Sequence, residues 1–404
     1  VTARTAPWTR ALRVLPLLLA NALSLLALPL PGTGDVGQFL RWTIKMQEWG
    51  LVEGYHVGNN PYPPLSPLWL AGAGGWAQLT GLEPRAALKL LLLVMLVAST
   101  AIVLAWTRSV LFAGLFQLAL LLNSAALGYL DVLFLPPLLL TFWALQRERV
   151  ALASFCFGLT VMTKFQPAVL APLLLIHALG PARARPGEAA APAGRPRRPL
   201  AALLPALAVF GVTLAVFGAP LLDKLRRVTL DWFLCGGAFN LDWIATWVIR
   251  VAFPGWAGPL EPSGLCPMIS EIDPLYMWPS KLLFLAAYVA ILVAWWRRPK
   301  TFVNLLLWST LAFLAAWLLS AGMHENHVYV AQVLALLLGW FDRRFVGVAA
   351  FWSLAANLNL LLTVGVAGGP VDPARVVAGL DIGLILSLIN LAAFGLLVAR
   401  ARKA

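Results

Sequence analysis

Asp35 stands just past the first long apolar run, ahead of Val36-Gly37-Gln38, and Tyr62-Pro63-Pro64-Leu65-Ser66-Pro67 follows in the same polar stretch. A carboxylate at a membrane–water boundary can take the proton from a hydroxyl as that hydroxyl attacks a substrate. The same Asp35 also reads as a helix N-cap, with Gln38 three positions on completing a capping box. The two roles are compatible, because a capping carboxylate keeps one oxygen for other partners. The prolines after Tyr62 fix φ and disfavour helix before them, giving a rigid extended turn that also serves as plain helix-start punctuation.

Three other places carry polar chemistry between apolar runs. Lys164 lies in Thr163-Lys164-Phe165-Gln166-Pro167. A cation so close to hydrocarbon needs a partner, either a substrate phosphate or a lipid phosphate reached by snorkelling. Met323-His324-Glu325-Asn326-His327 is the densest polar cluster at a span end and holds two of the four histidines. Its spacing is not that of the His-Glu-x-x-His zinc proteases, and no other metal-ligand set is evident, so phosphate or sugar hydrogen bonding is the reading, beside simple interfacial polarity. Asp131 follows Gly128-Tyr129-Leu130, with Asn123 a little earlier. It is either an N-cap or a wall of a pocket. Arg226, Arg227, Asp231 and Asp242 are candidates on a mobile loop.

The elements that must position these residues are apolar helices. The chain has 404 residues, 61% hydrophobic and 12% charged, with mean hydropathy +0.83. A soluble domain of this size cannot hide so much apolar surface, so an all-α, polytopic transmembrane bundle is expected. Judged against the length that crosses a bilayer, about twelve spans are expected, starting near 12–31, 87–107, 109–127, 131–146, 150–163 and 167–179 and continuing near 200–220, 279–296, 302–320, 328–341, 345–365 and 377–399. The first reads as retained rather than as a cleaved signal peptide, and the runs around Asp131 and Lys164 are short enough to be broken or tilted helices.

The net charge of +13 would suggest nucleic acid in a soluble protein. Here the basic residues form short clusters between apolar runs, which points to the positive-inside pattern and away from nucleic acid. Placing both termini in the cytoplasm puts Arg147 and Arg149, the 183–198 arginines, Arg297, Arg298 and Lys300, Arg343 and Arg344, and the C-terminal cluster on one side. Asp35, Lys164 and His324 then all face the other side. Two extracytoplasmic loops are expected, 32–86 and 221–278, within one transmembrane domain spanning 1–404. Residues 65–79 read as interfacial, and the tryptophans of 221–278 favour the headgroup region. Residues 180–199 read as a basic, low-complexity cytoplasmic linker. Cys235 and Cys266 share the second loop, where a disulfide is chemically allowed; Cys156 falls within a span.

This arrangement of a first span, Asp35, an amphipathic helix with Phe39, Leu40 and Trp42, and then Tyr62-Pro63-Pro64-Leu65 resembles the GT-C superfamily of integral-membrane glycosyltransferases. The closest likeness is to lipid-linked-oligosaccharide glucosyltransferases and to bacterial polyprenyl-phosphate-mannose-dependent mannosyltransferases. Lys164-Phe165-Gln166-Pro167 is similar to the Lys-Pro-Gln turn of the bacterial members, although the order differs, and Met323-His324-Glu325 resembles their late His-Glu turn. The resemblance implies an inverting hexosyltransferase that moves mannose or glucose from a polyprenyl-phosphate donor to a lipid-linked or membrane glycan acceptor. It implies Asp35 as general base, Lys164 and His324 at the donor phosphate, and Tyr62, Asp131, Gln166, Glu325 and His327 around donor or acceptor. It also implies no metal and no cofactor, and a site on the extracytoplasmic face, in a bacterial cytoplasmic membrane if the composition reflects a high-GC bacterium. The first loop lacks the paired acidic residues of protein O-mannosyltransferases and oligosaccharyltransferases, which argues against a protein acceptor.

No nucleotide-binding fingerprint such as GxGxxG or GxxxxGK[ST] occurs, in keeping with a lipid-borne donor. Two alternatives remain. A polysaccharide polymerase or ligase would use the same lipid-linked substrates. A flippase or other transporter would place charges in broken helices at the bilayer midplane, often in repeated halves, whereas here the charges are expected at span ends.

Overall fold

The computed structural model describes residues 7–58, 60–180, 199–227, 233–270, 272–369 and 375–403, except for the side chains of 7–13, 201, 227 and 403. The expected linker 180–199 thus lies almost wholly outside the described residues, as do Asp231 and Trp232.

The chain is mostly helical, with a few two-residue strands. Among the described residues, five helices are long and apolar enough to cross a membrane: Pro84–Thr107, Pro274–Arg297, Phe302–Leu319, Arg343–Val364 and Ile382–Arg402. A sixth candidate is the pair Ala202–Phe217 and Ala219–Arg226, bent by 112° at Gly218. The remaining apolar helices hold only 10–17 residues each. The apolar runs around Asp131 and Lys164 are among these, and the reason is local chemistry. Gly128 takes a left-handed φ of 80° between a π-turn at Leu122–Ala126 and a 3-10 turn at Leu130–Phe134. Lys164 is in extended conformation after the Val150–Thr163 helix, and Pro167 follows within a second 3-10 turn, Gln166–Leu170.

The chain folds as two compact units. The first comprises Val1–Phe165, Leu203–Leu225 and Val366–Gly369. Its expected first loop is built of three helices, Gly34–Trp49, Leu51–Val57 and Leu65–Thr80. Residues 65–79 therefore form a regular helix, burying Leu70, Ala73 and Ala77 on one face. Small residues let these helices approach closely: a Cβ on Gly74 would meet Thr43 at 2.4 Å, and one on Gly114 would meet the Leu17 backbone at 2.4 Å. Beside the latter contact, Gln117 donates to Asn21 and Ser24 at 3.3 and 3.2 Å.

The second unit comprises Gln166–Ala202, Arg226–Gly365 and Pro370–Ala404. Phe302–Leu319 is its central helix. It is apolar all round and 83% of its membrane-length window is buried, as expected for a helix enclosed by others. Thr301 caps it, accepting from the Asn304 N–H at 3.2 Å.

The expected second loop is not uniformly exposed. Residues 234–240 run buried through this unit. Their backbone is satisfied by amides from distant helices: Asn359 accepts from the Phe239 N–H at 2.7 Å and donates to the Gly237 carbonyl at 2.8 Å, and Asn390 donates to the Phe239 carbonyl at 2.9 Å. Irregular backbone among apolar helices needs such partners. Cys235 and Cys266 are free, buried thiols, so the allowed disulfide is not formed. Trp243 is fully buried, while Trp256 and Trp278 stay more than half exposed.

Candidate functional site

The first unit holds Asp35, Tyr62, Asp131 and Lys164. Asp35 is exposed and lies in the first turn of Gly34–Trp49. Thr33 occupies the N-cap, so the expected cap at Asp35 is misplaced. The capping box fails for the same reason, and Gln38 instead accepts from the Arg41 guanidinium at 3.1 Å. An acidic group in the first turn is favourable without capping, because it meets the positive end of the helix dipole.

The start of this helix is fixed by the irregular 122–134 segment. The Thr33 N–H donates to the Leu127 carbonyl at 2.9 Å. Gly32, with φ of 78°, makes that approach possible: a Cβ there would lie 2.8 Å from both the Leu127 oxygen and Val36. Asp35 and Asp131 are thus attached to one piece of scaffold.

Asp35, Phe39 and Trp42 fall at i, i+4 and i+7 and share a helix face. Phe39 and Trp42 are buried and pack on Tyr62, with ring centroids at 6.1 and 5.8 Å. Tyr62 is held through its backbone. Its N–H donates to the Asn60 side chain at 2.8 Å, and its carbonyl accepts from the Tyr55 hydroxyl at 3.3 Å. The Lys164 ammonium also lies 5.8 Å from the Tyr62 ring centroid.

Lys164 is buried and forms an ion pair and hydrogen bond with Asp131, whose side chain is fully buried. Asp131 is therefore not an N-cap; Tyr129 holds the N-cap of its turn. Nor does Lys164 snorkel, since its partner is an internal carboxylate. Lys164 sits at the C-cap of Val150–Thr163 and Asp131 in the turn that leads into Leu135–Gln146, and both are buried there.

Sequence reasoning missed two groups in this unit. Ser66, part of the proline motif, donates to the Thr163 carbonyl at 2.6 Å and so ties the Tyr62 turn to the residue before Lys164. Lys89 is fully buried within Pro84–Thr107 and donates to the Ala125 and Ala126 carbonyls at 2.7 and 2.5 Å, satisfying the π-turn backbone. A lysine within a long apolar run, as at Lys89, was the available signal.

The second unit holds Gln166, His324, Glu325 and His327. His324 lies in the strand Met323–His324, which pairs in parallel with Cys235–Gly236. Gly236 is needed there, because a Cβ would meet the His324 ring at 2.6 Å. The His324 N–H donates to His327 Nδ1 at 3.2 Å, and the two rings meet edge-on at 5.0 Å. Glu325 is buried, with one carboxylate oxygen 3.8 Å from His324 Nδ1. Gln166 donates to the His327 carbonyl at 2.8 Å. The structure therefore brings these four residues together at one turn.

Asp242 is buried rather than mobile. It accepts a hydrogen bond from the Ser280 hydroxyl, and burial pushes its carboxyl from 3.8 up to about 7, with that bond opposing the shift. Among the described residues, no three His, Cys, Asp or Glu side chains converge as a metal site would require. No family model matches the chain, and no curated protein matches it.

Proposed function

We propose that this protein is an integral-membrane glycosyltransferase that transfers mannose or glucose from a polyprenyl-phosphate donor to a membrane glycan acceptor, with Asp35 as general base. The observation that carries this reading is the continuous series in the first unit from an exposed carboxylate to a buried cation. Asp35 shares a face with Phe39 and Trp42, those rings pack on Tyr62, and Tyr62 meets Lys164. The buried Trp42 indole N–H meets no acceptor among the described residues and is a donor suited to a ligand oxygen.

In the proposed reaction an acceptor hydroxyl oxygen attacks the anomeric carbon while Asp35 removes its proton. The bond from the anomeric carbon to the phosphate oxygen breaks, and the polyprenyl phosphate leaves carrying both electrons and an added negative charge. Lys164 has three N–H donors, and its bond to Asp131 uses one. The others can meet the phosphate as its charge grows, which lowers the barrier in a site shielded from water. His324 keeps its proposed part at a phosphate as a separate assignment, tested by its own variant, His324→Gln.

The proposal includes about twelve crossings, with each of the shorter apolar helices crossing beside the five long ones and the bent pair, and with both termini cytoplasmic. It also includes action without a metal or cofactor. Cysteine-tagged termini and turns, labelled from either side of sealed vesicles, test the topology.

One observation favours a second reading. Asp131 and Lys164 are a buried ion pair at two helix breaks, the kind of feature expected at the binding site of a lipid-linked-substrate transporter. Proteoliposomes given radiolabelled polyprenyl-phosphate mannose or glucose and a glycolipid extract separate the two. Label in a new lipid product supports transfer; label that only changes leaflet supports transport.

A further inference from the structure

The second unit contains a cavity of about 390 Å³, lined by none of the residues assigned above to the transfer reaction. This is within the size range of small-ligand sites, roughly 300–1,000 Å³. Trp256 and Tyr276 form one side, with ring centroids 4.9 Å apart and planes inclined at 52°. Both rings are more than half exposed. Each stands on a short turn begun by a proline, Pro254–Ala257 and Pro274–Met277, so the backbone beneath each ring is restrained.

Arg250 also lines the cavity and is already committed. All three of its nitrogens donate to backbone carbonyls: Nε to Pro267 and Nη2 to Met268, each at 2.6 Å, and Nη1 to Ala257 at 2.6 Å with longer contacts to Gly258 and Pro259. These bonds join the 257–259 and 267–268 segments, so the walls are set before any ligand arrives. They also leave Arg250 poorly placed to capture an anion. Ser270 and Asp273 are the other polar lining residues among those described. One Asp273 oxygen accepts from the Leu275 N–H at 2.8 Å, which orients the carboxyl group at the cavity.

Two inclined aromatic faces beside a hydroxyl and a carboxylate suit a ligand with apolar C–H faces and many O–H donors. We infer that this cavity is a subsite for a pyranose of a neutral glycan, held against Trp256 and Tyr276 and hydrogen-bonded by Asp273 and Ser270. Tyr276 belongs to the first turn of the Pro274–Arg297 candidate span, which suits a glycan carried on a membrane lipid. A bilayer alone would be met by rings on a convex face; here they bound a concavity that also carries polar groups. That the glycan is one carried on a membrane lipid rests on the glycosyl-transfer reading.

The test is binding of mannotriose and maltotriose to the detergent-solubilised full chain by saturation-transfer NMR and calorimetry, with anionic lipid vesicles as the competing probe. Wild type should bind at least one trisaccharide. Trp256→Ala and Asp273→Asn should each weaken that binding about tenfold, the loss expected of one stacking or charged hydrogen-bond contact. Asp273→Asn keeps the side-chain shape, so it covers misfolding of the tryptophan variant. Trp49→Ala, at an exposed tryptophan of the first unit, should bind as wild type does. Binding lost with Trp256→Ala in a protein that performs no transfer keeps the subsite and removes the enzymatic reading. No trisaccharide binding, or binding unchanged in both variants, overturns the subsite even where transfer is observed. So does vesicle binding that falls in those variants without any sugar binding.

Discussion

Lys164 and Asp131 show what a charged pair costs and supplies among packed apolar helices. Removing one partner leaves the other buried and unpaired, so Lys164→Ala should cost about 3–5 kcal/mol of stability. Replacing both, as Lys164→Met with Asp131→Leu, should recover most of that stability. If Lys164 meets the donor phosphate, the double variant stays stable yet needs far more donor for half-maximal rate. Denaturation in detergent and the donor dependence of turnover read these two effects separately. Asp242 offers a second test. Its folded value of about 7 lies above its ordinary 3.8, so between those values the folded protein holds a proton that the unfolded chain has lost. Stability then falls as pH rises through that window. Asp242→Asn should remove this fall, so the variant's melting temperature relative to wild type should climb steadily from about pH 4 to about pH 7. Lys164 and Asp131 were each visible in the sequence as charges between apolar runs. Their pairing was not, because nothing local joins residues 33 positions apart.

At the scale of elements, glycine and proline explain most of the departures from regular spans. Gly32 and Gly128 carry the close contact between the Asp35 helix and the 122–134 segment: a Cβ on Gly128 would lie 2.6 Å from Val36. Gly32→Ala should therefore combine left-handed strain with a clash, costing about 1–3 kcal/mol. It should also lower turnover more than donor binding, because it displaces the helix that carries Asp35. Equal loss of both would mean that the helix start has no special part. The prolines at Tyr62-Pro63-Pro64 and Pro167 announced their turns in the sequence. The π-turn at Leu122–Ala126 did not, since neither Gly nor Pro lies within it and its carbonyls are satisfied by Lys89 from another helix. The Asp35 cap was misplaced by the same limitation: where the helix starts is decided by the Thr33–Leu127 bond, a contact made far along the chain.

For the whole molecule, composition and periodicity made the helical, membrane-type character legible. They marked the runs around Asp131 and Lys164 as short, but mean hydropathy does not register the breaks at Gly128 and Lys164 that shorten them. They also missed that 234–240 would be buried, since its satisfaction depends on Asn359 and Asn390, far along the chain. The buried thiols follow from this packing. Burial pushes Cys235 well up and Cys266 to about 12, so both are poor nucleophiles. Maleimide should label neither in the native protein, and a reducing agent should leave the melting temperature unchanged. A drop on reduction would show that a disulfide forms after all.

The most direct measurement compares wild type with Asp35→Asn under single-turnover conditions, using radiolabelled polyprenyl-phosphate mannose and glucose with a membrane glycolipid acceptor. The variant is expected to fold and bind donor like wild type but to transfer no label. Transfer by Asp35→Asn at a rate near that of wild type would contradict the assignment of Asp35 as the base.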